Sequence, residues 1–192
     1  MLWLLLICFL GAGAVAHHNR LFERAWFNWQ VWKQGAQAGR LGLGGYQVVV
    51  EARPIVGLED NVSALTYDPQ RKSLFTVTNK HSELVELSLQ GEVLRRIPLQ
   101  GFGDPEAVEY IAPGTYVITD ETEQRLIKVH VNDATRSLDA AQAEQWAMGA
   151  GPQHNKGFEG LAYDSTGKRL FVAKERDPFA ICLLYTSPSP RD

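Results

Sequence analysis

The segment GFEGLAYD at residues 157–164 repeats a pattern found at residues 61–68 (NVSALTYD) and 104–111 (DPEAVEYI). The three segments align without gaps, and each places Ser or Glu, then Leu or Val, then Tyr at every second position. A period of two residues is typical of a β-strand. In each copy a turn follows and then a second strand pattern, at residues 74–78, 115–119 and 170–173. The repeats therefore predict three β-hairpins and an all-β fold.

Further strand patterns follow at residues 84–89 and 93–99, and again at 125–131. Four strands make one blade of a β-propeller, and blades recur about every 40 to 45 residues. The aromatic residues Phe75, Tyr116 and Phe171 lie 41 and 55 positions apart, so residues 132–156 hold an insertion that adds a helical turn or a long loop. We expect residues 46–181 to form about three four-stranded blades of a six-bladed propeller, with one strand at residues 46–52. Three unrelated hairpins of a β-sandwich are the alternative.

The composition excludes several classes of protein. Of the 192 residues 45% are hydrophobic, and 19 Lys and Arg against 22 Asp and Glu give a net charge of −3. This balance argues against nucleic acid as a partner. Two cysteines, Cys8 and Cys182, cannot make a disulfide framework, and neither lies in a cluster that fits zinc.

Residues 1–18 contain an apolar run from Leu2 to Ala16 that carries no charged side chain. Such a run predicts a hydrophobic helix that is either a signal peptide or a membrane anchor. Ala14-Val15-Ala16 fits a signal-peptidase site. In both cases this segment interacts with the membrane, and the rest of the chain is exported.

Residues 19–45 are expected to be a juxtamembrane segment and a linker. Aromatic residues such as Trp26 and Trp29 are mixed with Arg20, Arg24 and Lys33. This mixture suits a lipid headgroup interface, and it also suits a short amphipathic helix packed on the folded domain. Five glycines between positions 35 and 45 indicate a flexible linker.

The last residues, CLLYTSPSPRD at 182–192, look like the translation of a sequencing adapter rather than like native protein. The natural sequence is then expected to continue beyond about residue 181 with further blades.

Three stretches of the chain resemble one protein family. They are GFGDPE at 101–106, YVITDETEQRLIKVHV at 116–131 and NKGFEGLA at 155–162, and they look like the SdiA-regulated (YjiK) family of bacterial envelope proteins. The resemblance spans residues 56–178. It implies a β-propeller behind a signal segment or membrane anchor, with no established reaction. It also implies a single-pass protein of the bacterial inner membrane with a periplasmic domain, or a protein secreted to the periplasm.

The first strand of each propeller blade lines the central channel, so the ends of these strands are the candidate site. Six polar residues are expected to form a ring there: Ser63, Asn79, Glu106, Asp120, Glu159 and Lys174. Carboxylate and amide oxygens suit calcium, which makes Glu106, Glu159, Asn79 and Asp120 candidate metal ligands. The six-bladed lactonases and paraoxonases are similar in holding a channel calcium. The alternative is that Glu106 and Glu159 only accept hydrogen bonds from backbone amides.

Two functions follow from this reading. The favoured one is an exported β-propeller module that binds a small molecule or an envelope protein. The alternative is a calcium-dependent hydrolase similar to lactonases and esterases, with its site at the channel. The sequence contains no GxSxG nucleophile motif, and we assign no catalytic residue.

The adapter-like ending generates a prediction that DNA sequencing can check. Resequencing of the genomic locus should replace the codons for residues 182–192 with codons for further strand repeats. A stop codon directly after the codon for Asp192 would contradict this expectation.

Overall fold

The structure is a computed structural model of the chain. It describes residues 21–22, 25–26, 29, 47–49, 52, 54–58, 61–148, 157–175 and 180–185. The chain divides into two units, residues 1–51 and 52–192.

The first unit is described at only a few positions. Leu21, Phe22, Ala25, Trp26 and Trp29 have helical backbone, and the rings of the two tryptophans lie 5.0 Å apart. The predicted hydrophobic helix at residues 2–16 and the glycine-rich linker lie outside the described residues. Among the residues that are described, no helix has the length and apolar character needed to cross a membrane.

The second unit begins with a four-stranded antiparallel sheet, which we call blade 1. Its strands are β1 (Val62–Asp68), β2 (Ser73–Thr78), β3 (Glu83–Leu87) and β4 (Val93–Gln100). The predicted extra strand at residues 46–52 was wrong at the positions that are described. Gln47, Val48, Val49 and Ala52 belong to no strand.

Blade 2 is also four-stranded. It contains β5 (Val108–Ala112), β6 (Thr115–Asp120), β7 (Arg125–His130) and β9 (Glu144–Ala147). The insertion between β7 and β9 forms the short strand β8 (Leu138–Asp139), which pairs in parallel with β4 of blade 1, and a 3-10 helix at Ala140–Gln142. The insertion thus supplies the expected helical turn, but it also supplies the fourth strand of blade 2, which the sequence analysis missed.

Blade 3 has three strands among the described residues, namely β10 (Phe158–Asp164), β11 (Arg169–Lys174) and β12 (Ala180–Tyr185). Four positions of the adapter-like ending, residues 182–185, take part in β12 and pair with β11. The all-β prediction is confirmed. The number of blades in a closed ring stays a prediction.

The blades pack face to face. We call the face of a blade that is turned toward the preceding blade its front face, and the opposite one its back face. The back of blade 1 meets the front of blade 2 through a core that includes Phe75, Val77, Tyr116 and Ile118. The back of blade 2 meets the front of blade 3 through another core, which includes Val117, Leu126, Phe158, Leu170 and Val172. Both faces of blade 2 are therefore buried, as in a propeller.

The inner strands β1, β5 and β10 are joined by one side chain. Glu109 on β5 accepts a hydrogen bond from the Thr66 hydroxyl at 3.0 Å and another from the Tyr163 backbone N–H at 3.1 Å. The Thr66 hydroxyl in turn accepts the Tyr110 backbone N–H at 3.1 Å. Burial raises the pKa of Glu109, and these hydrogen bonds oppose the rise. One carboxylate thus links all three blades.

A second polar contact crosses the junction of blades 1 and 2. Asp68 is fully buried, and one of its oxygens accepts the backbone N–H groups of Gln70 and Arg71 at 2.8 and 3.0 Å. Its other oxygen accepts the hydroxyl of Tyr116, a buried residue of β6. The contact satisfies a carboxylate that would otherwise be costly to bury.

This contact generates a stability prediction. Tyr116→Phe removes the hydroxyl donor to the buried Asp68, so it should lower the free energy of unfolding by about 1 to 3 kcal/mol. Urea denaturation measures the difference. The matched control is Tyr67→Phe, because the side chain of Tyr67 is 47% exposed, and this change should have little effect. Equal losses in the two variants would contradict the role given to the Asp68–Tyr116 hydrogen bond.

Candidate ligand site at the ends of the inner strands

The candidate site lies where the chain enters each inner strand and leaves each second strand. In blade 1 the backbone N–H of Asn79 donates to the backbone carbonyl of Asn61 at 3.4 Å. In blade 2 the backbone N–H of Glu121 donates to the carbonyl of Asp104 at 2.8 Å, and in blade 3 that of Glu175 donates to the carbonyl of Gly157 at 3.1 Å. The same backbone contact therefore recurs in all three blades. It makes Asn79, Glu121 and Glu175 structurally equivalent.

Five carboxylates meet at these positions, and we call them the acid cluster: Asp104, Glu106, Glu121, Glu159 and Glu175. Asp104, Glu106 and Glu121 offer oxygen atoms that all lie within 4.8 Å of one another, and so do Glu121, Glu159 and Glu175. Glu121 belongs to both groups and is only 5% exposed. The cluster draws its carboxylates from blades 2 and 3.

Blade 1 contributes hydrogen-bond donors. The Ser63 hydroxyl donates to one oxygen of Glu106 at 2.7 Å, and the Asn79 amide donates to the other at 2.8 Å. Both oxygens of Glu106 are thereby fixed in direction. The predicted convergence of Ser63, Asn79 and Glu106 is present in the structure, with Asn79 directing its amide nitrogen, rather than its oxygen, at the carboxylate.

Glu121 is held by a close backbone approach. Its carboxylate accepts the Gly157 N–H at 2.8 Å. A Cβ atom at position 157 would lie 2.1 Å from the Glu121 Cγ, so any side chain there would displace the glutamate. Glycine at this position lets the two chain segments approach closely.

Two carboxyl groups of the cluster have raised pKa values. The pKa of Asp104 rises to about 6, first because of burial and then because of the neighbouring Glu106 and Glu121. The pKa of Glu159 is raised by burial and then by Glu175 and Glu121. The arrangement thus brings together negative charges that repel one another, and a cation at this place would relieve the repulsion.

Asp120 and Lys174 occupy a different position. Both are the last residues of second strands and both are buried. Asp120 forms an ion pair with Arg125 at 2.8 Å and accepts the Gly103 and Asp104 backbone N–H groups at 3.1 and 3.3 Å. Asp120 therefore supports the loop that carries Asp104, and its oxygens already have these partners.

Asp120 and Lys174, which we expected to be equivalent to Asn79, each lie one residue before the equivalent position. The Tyr residues of the inner strands pair with Leu74, Tyr116 and Leu170, so Tyr116 is not equivalent to Phe75 and Phe171. A shift of one residue moves a side chain to the other face of a sheet. Consequently Glu121 and Glu175, rather than Asp120 and Lys174, stand where Asn79 stands in blade 1.

Glu121 was not predicted for this reason, and Glu175 and Asp104 were not predicted either. The segments LFTVTN (74–79), YVITDE (116–121) and LFVAKE (170–175) align from end to end. An alignment on their polar last residues would have found Glu121 and Glu175. Asp104 stands at the position of Asn61 and Gly157, where the three repeats differ most in chemistry.

The sequence model of the SdiA-regulated family matches residues 39–191. This match covers most of the chain. The chain belongs to the SdiA-regulated family. The suspected resemblance is confirmed, and the match includes the three blades with all five residues of the acid cluster.

Several solved structures resemble this SdiA-regulated chain. A "putative 6-phosphogluconolactonase" from Bacteroides uniformis has 11% identity and a TM-score of 0.50 over 67% of the chain. A nidogen–laminin complex has 18% identity and a TM-score of 0.49, and a luciferin-regenerating enzyme has 13% identity and a TM-score of 0.45. The chain covers 38%, 44% and 40% of these proteins. At such identity the first likeness concerns the fold alone.

The donor set of the acid cluster fits a hard divalent cation. Carboxylate oxygens are preferred ligands of calcium, which binds them at about 2.3 to 2.6 Å. Oxygens on opposite sides of such an ion lie about 4.6 to 5.2 Å apart, and each group of three in the cluster is compact enough for this, within 4.8 Å. Two sets of residues could hold such an ion: Asp104, Glu106 and Glu121 in one group, and Glu121, Glu159 and Glu175 in the other.

The raised pKa of Asp104 generates a pH prediction. Its pKa is 3.8 in the unfolded chain and about 6 in the fold, so the folded state favours the protonated carboxyl. The stabilisation of the fold by the protonated Asp104 carboxyl is fully present below pH 3.8 and is lost as the pH rises through about 6. Asp104→Asn should therefore stabilise the protein at pH 7 by on the order of 1 kcal/mol, since solvent screens a partly exposed group.

Urea denaturation between pH 3.5 and pH 8 in the presence of a chelator measures this effect. The increase in the free energy of unfolding that Asp104→Asn causes should disappear as the pH falls toward 3.5. Glu92→Gln in the exposed β3–β4 turn is the matched control and should show no such trend. A gain from Asp104→Asn that is the same at every pH would contradict the electrostatic origin.

Proposed function

We propose that this SdiA-regulated chain is a β-propeller binding module of the bacterial envelope that holds a divalent cation, calcium by its donor chemistry, in the acid cluster. One observation carries the proposal. Neighbouring blades bring five carboxylates together, in two groups of three whose oxygens lie within 4.8 Å of one another, although burial and then the neighbouring carboxylates raise the pKa of Asp104 and Glu159.

The surroundings of the cluster support this role. A carboxylate group that served only to accept backbone amides would not need several acidic neighbours. Glu121 accepts one such amide, from Gly157, and Glu106 is directed by Ser63 and Asn79. The hydrogen bonds orient these oxygens in advance, which reduces the cost of ordering them when a cation binds.

The cation then forms part of a binding surface at the end of the propeller channel. A metal ion with ligand positions left open on its solvent side attracts oxygen-rich or anionic groups. The partner would be a small molecule or an envelope protein that presents such a group. The apolar segment at residues 2–16 would place this surface on the periplasmic side of the inner membrane, either anchored or released after cleavage.

A calcium-dependent hydrolase of lactones or esters is the second candidate. The observation that favours it is the half-buried carboxylate of Asp104, which lies beside Glu106 and Glu121, because a carboxylate next to a bound cation is placed to act as a general base. In this role the cation would polarise a carbonyl group, and Asp104 would accept a proton from water. The same cluster would then bind the ion and supply the base.

The cation site is tested by Glu159→Gln. At calcium concentrations about one hundredfold above the dissociation constant, the bound ion should stabilise the parent protein by about 2.7 kcal/mol. Removal of one anionic ligand should abolish most of this gain. Thermal unfolding with calcium and with chelator measures it, and Glu92→Gln is the matched control that should keep the full gain.

Equal melting temperatures of the parent protein in calcium and in chelator would reject the cation site and leave the glutamates with a structural role. The two candidate functions are separated by an assay of lactone and ester hydrolysis with the full chain. Calcium-dependent turnover that Asp104→Asn removes would favour the hydrolase. Calcium binding without turnover would favour the binding module.

A further inference from the structure

The ion pair between Asp120 and Arg125 lies next to the acid cluster. The Asp120 side chain is fully buried, and that of Arg125 is only 21% exposed. Two nitrogens of the guanidinium group, Nε and Nη2, donate to the same Asp120 oxygen, Oδ2, at 3.0 and 2.8 Å. Because the guanidinium group is planar and presents its donors as a rigid fork, it holds the buried carboxylate in one orientation.

Asp120 joins two chain segments that each carry a carboxylate of the acid cluster. Its oxygens accept the backbone N–H groups of Gly103 at 3.1 Å and of Asp104 at 3.3 Å, in the loop before β5. They also accept the backbone N–H of Glu123 at 3.3 Å, in the β6–β7 turn that begins with Glu121. The distance between the Asp104 and Glu121 carboxylates therefore depends on where the Asp120 carboxylate is held.

The loop and the turn also pack directly against each other. A Cβ atom at Gly103 would lie 2.7 Å from the Cβ of Thr122 and 2.9 Å from Oδ1 of Asp120. The backbone N–H of Glu121 donates to the carbonyl of Asp104 at 2.8 Å. Since these contacts leave no space between the two segments, a shift of the Asp120 carboxylate would move both of them.

Arg125 is itself held by two further contacts. Its Nη2 also donates to the Gly101 carbonyl at 2.7 Å, at the start of the loop that carries Asp104. Its Nη1 donates to the side-chain oxygen of Gln145 on β9 at 2.8 Å. The amide nitrogen of Gln145 in turn donates to the carbonyl of Ala140 in the 3-10 helix. All three nitrogens of the guanidinium group are thus engaged, and its plane is fixed.

A similar ion pair in blade 3 has only local contacts. Arg169 donates through Nε and Nη2 to one oxygen of Asp164 at 3.0 and 2.6 Å. The other Asp164 oxygen accepts the backbone N–H groups of Thr166 and Gly167, which lie in the β10–β11 turn that Asp164 precedes. Within the described part of the chain, this carboxylate binds no second segment. The Asp120–Arg125 pair differs because it joins a loop to a turn.

We infer that Arg125 is a positioning residue of the acid cluster, an inference that rests on the cation site of the proposed function. Arg125 fixes the loop of Asp104 relative to the turn of Glu121, through the Asp120 carboxylate and the Gly101 carbonyl. It is not a ligand, since an arginine side chain offers only hydrogen-bond donors. Replacement of residues that orient metal ligands in this way typically weakens metal binding by about 10- to 100-fold.

The calcium dissociation constant of the full chain tests this inference. Arg125→Lys keeps the positive charge, but a single ammonium group cannot reproduce the planar fork. The variant should therefore bind calcium at least about 10-fold more weakly than the parent chain. Arg169→Lys makes the same change in the local ion pair of blade 3, so this matched control should keep the parent dissociation constant. Isothermal titration calorimetry well below the melting temperature of each variant measures the constants.

A second variant decides the test if Arg125→Lys does not fold. Gln145 is exposed, so Gln145→Ala should fold, which circular dichroism in chelator checks. It removes the acceptor of Nη1 and should weaken calcium binding, by less than Arg125→Lys does.

The possible failures are distinct. A parent chain that binds no calcium would reject the cation site and this inference with it. A parent chain that binds calcium, with folded Arg125 and Gln145 variants that keep its dissociation constant, would overturn the inference alone. A lower melting temperature in chelator at an unchanged dissociation constant would give Arg125 a structural role only, and an equal loss of affinity in Arg169→Lys would also overturn the inference.

Discussion

A β-sheet with apolar side chains on both faces is stable only between two neighbours, and the structure of this protein depends on that constraint. Blade 2 shows it most clearly, because Tyr116 and Ile118 are buried against blade 1 while Val117 is buried against blade 3. Stacking of blades brings their first strands side by side. The polar contacts of the inner strands, including those of Glu109, follow from this stacking.

The same stacking explains why carboxylates can be gathered in spite of their repulsion. The apolar junctions between blades fix the distances between strand ends, and the acid cluster has no freedom to spread. The favourable free energy of packing thus offsets the electrostatic repulsion at the site. Such compensation is common at functional sites. Asp120 also supports the site, because it accepts the backbone N–H groups of Gly103 and Asp104 while it forms an ion pair with Arg125.

The sequence alone was enough for the architecture and for part of the site. The period of two residues and the repeated Tyr identified the inner strands, and Ser63, Asn79 and Glu106 do converge. The register of β6 was not accessible from aromatic spacing, because Tyr116 stands where the other blades carry Leu74 and Leu170. Strand β9 was missed since its residues, EQWA, are exposed and lack an apolar alternation. Tertiary pairing with β7, rather than local pattern, makes it a strand.

The pairing of β8 with β4 affects folding and the risk of misfolding. The outer strand of a blade presents unpaired backbone groups that can recruit strands from other molecules. At Leu99 and Gln100 these groups are occupied by Leu138 and Asp139, which arrive from the insertion of blade 2. This pairing links the first two blades, so these positions at the edge of blade 1 become protected only after the first three strands of blade 2 and then β8 have been synthesised. During translation, the interval between the synthesis of β4 and that of β8 is the period in which the nascent chain is most exposed to strand exchange.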